Sequence, residues 1–151
     1  MTLKDEVELL RRVPLFAGIE PAKLKLLAFS SRRLRFQPGE VVFRQGDTGD
    51  AAYVVLSGSA DVIVDTPAGE IHVATIASND IVGEISILCD VTRTATVRAH
   101  GALEVLRIQK DDFLRLLEGF PSLALKIIKV LADRLADTTA ELIDARSVRR
   151  S

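Results

Sequence analysis

Between residues 33 and 108, short apolar segments alternate with turn-forming residues, and this pattern limits the fold more than any other feature of the chain. At its start, Leu34 and Phe36 alternate with arginines, a period of two that predicts a half-buried β-strand. Glycine, proline and aspartate then interrupt the apolar runs repeatedly. We predict eight short strands, a pattern typical of a closed barrel or jelly roll. They cover residues 33–36, 41–44, 53–56, 60–64, 71–76, 81–82, 94–99 and 103–108.

Helical periodicity lies on both sides of this β region. Pro21 begins the second of two predicted N-terminal helices. After Gln109 helical periodicity returns, first briefly and then in one long helix that we expect to end near Ala145. We therefore predict an α+β chain that is mainly β: an eight-stranded β-roll or jelly roll with N-terminal helices and a long C-terminal helix. The domain would cover residues 1–145, followed by a short basic tail at 146–151.

The composition excludes several classes of protein. The chain has 151 residues, 48% of them hydrophobic, which is enough for one domain with a sizeable core. Its net charge of -1 gives no general attraction to nucleic acid or to an anionic membrane. No apolar run approaches the ~20 residues that span a bilayer, and the charged N-terminus is unlike a signal peptide. We expect a cytoplasmic protein that does not enter a membrane.

Side chains suited to metal or redox chemistry are scarce. Cys89 is the single cysteine, so these residues form no internal disulfide, and we interpret it as a small apolar residue rather than a redox thiol. His72 and His100 are the two histidines, and neither stands beside clustered carboxylates or cysteines, so we predict no metal site. Hydrolase and ATP-binding motifs are also missing from the sequence. We therefore predict a non-enzymatic protein without catalytic residues.

The segment from Gly83 to Val97, GEISILCDVTRTATV, combines features that suit a small anionic ligand. Glycine lets a backbone approach a ligand closely, and a short helix that begins there directs N–H groups and its positive end at an anion. Arg93 carries a planar guanidinium that can bind a phosphate through two hydrogen bonds. Glu84 would repel a phosphate, but its carboxylate suits a sugar hydroxyl. Phosphate donors beside a sugar-binding carboxylate indicate a nucleotide.

This segment resembles the phosphate-binding cassette of the cyclic nucleotide-binding domain family. The family pattern is Gly-Glu with aliphatic and small residues, a short loop, and then Arg-small-Ala-polar-Val. Thr92 departs from it, because many members have proline before the arginine. The resemblance covers nearly the whole chain and implies a β-roll with helices at both ends. The matching positions are Gly83, Glu84, Ile85, Ser86, Ile87, Arg93, Thr94, Ala95, Thr96 and Val97.

The resemblance implies a role for each charged or hydroxyl side chain of the cassette. Glu84 would accept a hydrogen bond from the ribose 2′-hydroxyl, and Arg93 would donate to the exocyclic phosphate oxygens. Backbone N–H groups near Ile85 and Ser86 would complete the anion site, with the hydroxyls of Ser86 and Thr94 as further donors. The alternative is a simple ion pair between Glu84 and Arg93. The predicted ligand-binding residues here are Gly83, Glu84, Ile85, Ser86, Arg93, Thr94 and Ala95.

The long C-terminal helix is similar to that of bacterial catabolite-activator-type regulators. In those proteins Arg-Leu-x-x precedes two hydroxyl residues, which contact the adenine edge from the two subunits of a dimer. The segment 134–139, RLADTT, fits this pattern and implies that Thr138 and Thr139 bind the base. The alternative is that both are ordinary threonines on a helix surface.

A stripe on the same helix predicts the assembly. Leu131, Leu135, Thr138 and Leu142 are spaced by steps of four, three and four, as on one face of a coiled-coil helix. We predict a parallel homodimer along this helix; the alternative is that the stripe packs back onto the roll. In the regulators a DNA-binding domain follows this helix, and this sequence stops there, so we expect no direct DNA contact. The arginines of the tail are interpreted as solvated.

These features predict a cyclic nucleotide-binding sensor whose ligand repositions the C-terminal helix. The expected ligand is cAMP, with cGMP as the less favoured choice, because Thr94 permits guanine whereas Thr138 is placed to accept from adenine. One alternative is a degenerate domain that keeps the fold and acts as a protein interaction module, although the intact Glu84 and Arg93 argue against it. The other is an enzyme, but a phosphodiesterase would need metal ligands.

Overall fold

The computed structural model describes residues 3–13, 16–78 and 80–150. The chain divides into two compact units, Met1–Leu116 and Leu117–Ser151. The first unit contains all eight strands in the order α1-α2-β1 to β6-α3-β7-β8, and the second consists mainly of the last helix. The helices are α1 Leu3–Arg12, α2 Pro21–Ser30, α3 Glu84–Leu88, α4 Lys110–Gly119 and α5 Pro121–Arg150. The strands are β1 Arg32–Phe36, β2 Val41–Phe43, β3 Ala51–Ser57, β4 Ser59–Thr66, β5 Gly69–Ala77, β6 Ile81–Val82, β7 Thr96–Ala99 and β8 Leu103–Gln109.

The strands form two four-stranded sheets, ordered β1-β8-β3-β6 and β2-β7-β4-β5. All of the paired strands are antiparallel. The prediction of an eight-stranded jelly roll with N-terminal helices and a long C-terminal helix is therefore confirmed. Strand β6 belongs to the first sheet and β7 to the second. The cassette runs from the end of β6 into β7, so it connects one sheet to the other.

One hydrophobic cluster unites the two sheets. It shows why the sequence has a period of two, because alternate side chains of a strand point to the same face. In β3 the inward residues are Ala51, Tyr53 and Val55, and in β8 they are Leu103 and Val105. From the other sheet the cluster takes Ala60, Ile76, Val97 and Ala99.

The last part of the cassette differs from the prediction. We expected a strand over 94–99, but β7 begins at Thr96 and the two residues before it form a bend. The reason lies in the backbone of Arg93, which bonds to a loop rather than to a neighbouring strand. Its N–H donates to the carbonyl oxygen of Asp47 at 2.8 Å, and its carbonyl oxygen accepts from the N–H of Gly46 at 2.8 Å.

The predicted helices are present, with one difference in length. Leu24, Leu27 and Ala28 are buried on α2, as the pattern after Pro21 indicated. Helix α5 extends to Arg150, beyond the expected end near Ala145, so the basic residues of the predicted tail belong to the helix. The division into a domain at 1–145 and a tail at 146–151 stays a prediction. Among the described residues, no helix combines the length and the apolar character that crossing a membrane requires.

Candidate functional site

Gly83 sets the geometry of the cassette. It is the N-cap of α3 and has the left-handed backbone angles φ 88° and ψ 0°, which residues with a side chain rarely adopt. A Cβ atom at this position would lie 2.6 Å from Nη1 of Arg93 and 3.2 Å from the carbonyl oxygen of Ala51. Both the conformation and the space therefore require glycine.

Arg93 is folded into the protein, where its guanidinium joins two strand ends. Its Nη1 donates to the carbonyl oxygen of Gly83 at 2.8 Å, and its Nη2 donates to that of Ala51 at 2.6 Å. The residue is only 2% exposed. The sequence predicted two hydrogen bonds from this guanidinium to a phosphate, but both Nη nitrogens already donate to backbone carbonyls, after the end of β6 and at the start of β3.

Aromatic and acidic side chains complete the surroundings of this cation. The guanidinium carbon lies 4.1 Å from the centroid of the Phe43 ring and 5.9 Å from that of Tyr53, within the range of cation–π attraction. Nη2 is also 3.8 Å from Oδ1 of Asp50. Burial lowers the pKa of the Arg93 guanidinium, while the charges of Tyr53 and Asp50 oppose that shift. The site thus holds a poorly hydrated positive charge.

One donor of this cation is not used. Within the part of the chain that the structure describes, Nε of Arg93 is buried and has no hydrogen-bond partner. Leaving a buried donor of a charged group unpaired costs about 1–3 kcal/mol or more, so such groups require an explanation. An anion that binds at the cassette would supply the missing acceptor.

Glu84 and Ser86, on the first turns of α3, are the other buried polar residues of the cassette. They are 1% and 4% exposed, respectively. Ser86 lies against the loop before β3, because a Cβ atom on Gly49 would come within 2.3 Å of the Cβ of Ser86. The structure therefore brings Gly83 and Arg93 into contact, and it buries Glu84 and Ser86 on the helix that follows Gly83.

The other predicted residues of the cassette are more exposed. Ile85 is 39% exposed and Thr94 lies on the surface, whereas Ala95 is buried. Thr94 is therefore accessible from outside the roll. The backbone of helix α5 includes Thr138 and Thr139, but their side chains lie outside what the structure describes.

The loop from Gly46 to Ala51 is part of the site, and sequence reasoning treated it only as a turn. It holds the backbone of Arg93 through Gly46 and Asp47, and it supplies the carbonyl of Ala51 and the carboxylate of Asp50. The repeated Gly-Asp pairs at 46–47 and 49–50 were the available signal. The contribution of Phe43 had no such signal, since an aromatic residue in a strand is more often part of the core.

Both histidines lie close to one carboxylate, that of Asp61 on β4. His72 Nε2 and His100 Nδ1 lie 3.2 Å from Oδ1 and Oδ2 of Asp61, respectively. Desolvation raises the pKa of Asp61, but hydrogen bonds and charge from His100 and His72 outweigh it, so that this pKa is lowered overall. Within the described ranges, no group of three or more ligating side chains is arranged to hold a metal ion.

Comparison with known proteins agrees with this geometry. The sequence model of the family described as "Cyclic nucleotide-binding domain" matches residues 33–120, which include all but the first residue of β1, the whole of β2 to β8 and the cassette. The chain belongs to the cyclic nucleotide-binding domain family. The expected family is therefore confirmed.

Several relatives carry the names of regulatory or receptor proteins. The chain is 36% identical to the cAMP-dependent protein kinase regulatory subunit of Blastocladiella emersonii over 109 residues, 72% of this chain and 27% of that protein. It is 34% identical to the cyclic AMP receptor protein of Thermus thermophilus over 131 residues, 85% of this chain and 60% of that protein. The chain thus corresponds to a part of each relative, less than two thirds of its length.

A solved structure shows the same fold with a ligand. The regulatory domain of Toxoplasma gondii PKA, solved with cAMP, is similar with a TM-score of 0.77 and 26% identity. The match covers 87% of this chain and 50% of that one. The chain is thus a cyclic nucleotide-binding regulatory domain, as the protein kinase and receptor relatives indicate.

Proposed function

We propose that this chain is a non-enzymatic sensor that binds cAMP in the cassette and transmits its binding to helix α5. The observation that carries this proposal is the buried Arg93, whose Nε donor has no partner within the described residues. A cyclic phosphate has one negative charge and acceptor oxygens, which match both the positive charge and the missing acceptor. The protein kinase and receptor relatives, named for cAMP, support the choice of ligand.

We assign to the site residues the roles that the family resemblance implies. Arg93 would donate from Nε to an exocyclic phosphate oxygen, and backbone N–H groups at Ile85 and Ser86 would face the same group. Each Nη group carries a second hydrogen beyond the one given to a backbone carbonyl. Glu84 would accept from the ribose 2′-hydroxyl, and Ser86 and Thr94 would offer hydroxyl donors. Gly83 and Ala95 leave the space that the backbone approach requires.

Isothermal titration with cAMP, cGMP and 5′-AMP tests the proposal. We expect saturable binding of cAMP at one site per chain, with weaker binding of 5′-AMP. Chromatography of the titrated sample should recover cAMP unchanged, because no catalytic machinery is assigned. Binding of neither cyclic nucleotide would favour the interaction-module alternative, and conversion of cAMP to 5′-AMP would favour an enzyme.

Base selectivity is expected to depend on Thr138. We propose that its hydroxyl accepts from the adenine amino group, so that cAMP is preferred over cGMP by about 1–2 kcal/mol, the size of one hydrogen bond. Competition binding of the two nucleotides should show that Thr138→Ala removes most of this preference and leaves phosphate binding intact. Thr139→Ala serves as the comparison for the neighbouring hydroxyl. Tighter binding of cGMP by the unmodified chain, or a preference that survives Thr138→Ala, would assign selectivity to Thr94 or to the backbone.

We further propose a parallel homodimer along α5. Leu135 is 68% exposed, and Leu125 and Ile128 on the same helix are 66% and 60% exposed. Ile128 precedes Leu131 by three residues and Leu135 by seven, so it extends the predicted stripe toward the start of α5, whereas Leu125 lies one position outside this spacing. Leu131, by contrast, is only half-exposed, so it is a less suitable member of the stripe than Leu135.

Leu135→Glu should disrupt this dimer, because it places a charge in an apolar seam. Sedimentation equilibrium is expected to show a dimer for the unmodified chain and a dimer dissociation constant at least about tenfold higher for the variant. Asp133→Lys changes a charge on an exposed residue outside the stripe and should leave the dimer intact. A monomeric unmodified chain, or an undiminished Leu135→Glu dimer, would contradict the proposed interface.

A further inference from the structure

A carboxylate lies between two arginines where the loop enters β3. Oδ2 of Asp50 accepts a hydrogen bond from Nη2 of Arg107 at 3.1 Å, and its Oδ1 is 3.8 Å from Nη2 of Arg93. The N–H of Lys110 donates to the carbonyl oxygen of Asp50 at 2.9 Å, which fixes the backbone. A rotation of the Asp50 side chain alone is therefore enough to change the distance between its carboxylate and either arginine.

The two arginines differ in their surroundings. The side chain of Arg93 is 1% exposed, that of Arg107 is 20% exposed, and that of Asp50 is 66% exposed. Arg107 is held on β8, in register with Tyr53 of β3 on one side and with Arg32 of β1 on the other. Because Arg32 carries the same charge as Arg107, the carboxylate of Asp50 also relieves a repulsion across these strands.

Asp50 affects ligand binding through charge. A ligand phosphate that approaches Arg93 meets the negative charge of Asp50 on the same guanidinium, and like charges at this range repel. The shorter contact with Arg107 draws the carboxylate toward β8 and partly neutralises it. Without Arg107, the carboxylate of Asp50 would lose its other ion-pair partner, so it would pair fully with Arg93 and compete with the phosphate.

We propose that Arg107 is a positioning residue that holds Asp50 away from Arg93 and thereby raises the affinity of the cassette for its anionic ligand. This inference rests on the proposed function, since it concerns the affinity of the same site. It assigns a role to Arg107, which lies outside the cassette and makes its contact with Arg93 only through a shared carboxylate.

The test is a double-mutant cycle in cAMP affinity, measured by isothermal titration. Arg107→Gln should weaken binding by about two- to fivefold, the effect of one partly exposed ion pair. Asp50→Asn should bind at least as tightly as the unmodified chain. In the Asp50→Asn background, Arg107→Gln should have no further effect, because the carboxylate through which Arg107 acts is gone.

Two further variants separate positioning from general effects. Arg107→Lys keeps the charge and should retain most of the affinity. Arg98→Gln removes an exposed arginine that pairs with Glu70 at 3.7 Å on the other sheet, and it should leave affinity unchanged. The Arg107→Gln effect should also shrink at high salt, which screens partly exposed charges.

Each outcome bears on a different claim. If the unmodified chain binds neither cyclic nucleotide, the proposed function fails and this inference fails with it. If the chain binds cAMP but Arg107→Gln binds equally well, only this inference is overturned. An Arg107→Gln loss that persists in the Asp50→Asn background would show that Arg107 acts directly on the ligand or on folding, which also overturns it.

Discussion

Arg93→Lys is expected to weaken cAMP binding by about tenfold to a hundredfold, or about 1.5–3 kcal/mol. Lysine keeps the positive charge but replaces a rigid planar group with one ammonium. The three donors of that ammonium start from one nitrogen, so they cannot reproduce the spread of the guanidinium nitrogens over the carbonyls of Gly83 and Ala51 and a phosphate. Isothermal titration of the variant measures the loss directly.

The same series includes a ranking of the two charged residues. Arg93→Ala should lose more affinity than Glu84→Gln, because in the proposed site the arginine would compensate the ligand charge whereas the glutamate would contact a neutral hydroxyl. Arg98→Lys makes the same exchange on β7, outside the proposed site, and should bind like the unmodified chain. Because Arg93 is buried, thermal unfolding of each variant must accompany the titration. A folded Arg93→Ala variant with unchanged affinity would refute the site.

Gly83→Ala is the second change with a large expected effect. It combines a disfavoured left-handed backbone, which costs about 1–2 kcal/mol, with a Cβ atom only 2.6 Å from Nη1 of Arg93. The arginine must then leave the carbonyl of Gly83, and the buried donors lose their arrangement. We expect stability to fall and cAMP affinity to fall by about tenfold or more. Both are measured on the same preparation, by thermal unfolding and titration.

Gly39→Ala provides a matched control for this variant. Gly39 has a φ of 85°, close to the 88° of Gly83, but a Cβ atom there would meet nothing within 4 Å. Both substitutions therefore carry similar backbone strain, and only Gly83→Ala displaces Arg93. If the two variants lose affinity equally, the effect comes from general strain and the close approach at Gly83 has no role in binding.

The strands and the cassette were predictable because their information is local. Turn residues marked the limits of the apolar segments that became the eight strands, and a period of two marked the first of them. On β8 the alternate residues Leu103 and Val105 both lie in the core. The cassette was equally predictable, since its glycine, carboxylate and arginine lie within one short segment whose pattern resembles that of the cyclic nucleotide-binding domain family.

The partners of Arg93 were not predictable, because they are distant in sequence and two of them are backbone carbonyls. Any residue supplies a carbonyl, so the acceptor role of Ala51 leaves no trace in the residue type. The start of β7 was not predictable for the same reason: the backbone hydrogen bond between Arg93 and Asp47 joins residues distant in sequence, and it makes the strand begin later than expected. The exposed faces of α5 also could not be read from apolar spacing alone, because Leu131 and Leu135 share a pattern but differ in exposure.

The most direct test of the central claim is the NMR signal of the Arg93 Nε–H group, measured with and without cAMP. The resonance is assigned by its loss in Arg93→Lys. If the ligand phosphate supplies the missing acceptor, saturating cAMP should move this signal strongly downfield and protect the proton from solvent exchange, whereas 5′-AMP at the same concentration should do so much less. A signal that stays in place while titration shows cAMP bound would contradict the assignment of Arg93 as the phosphate-binding residue.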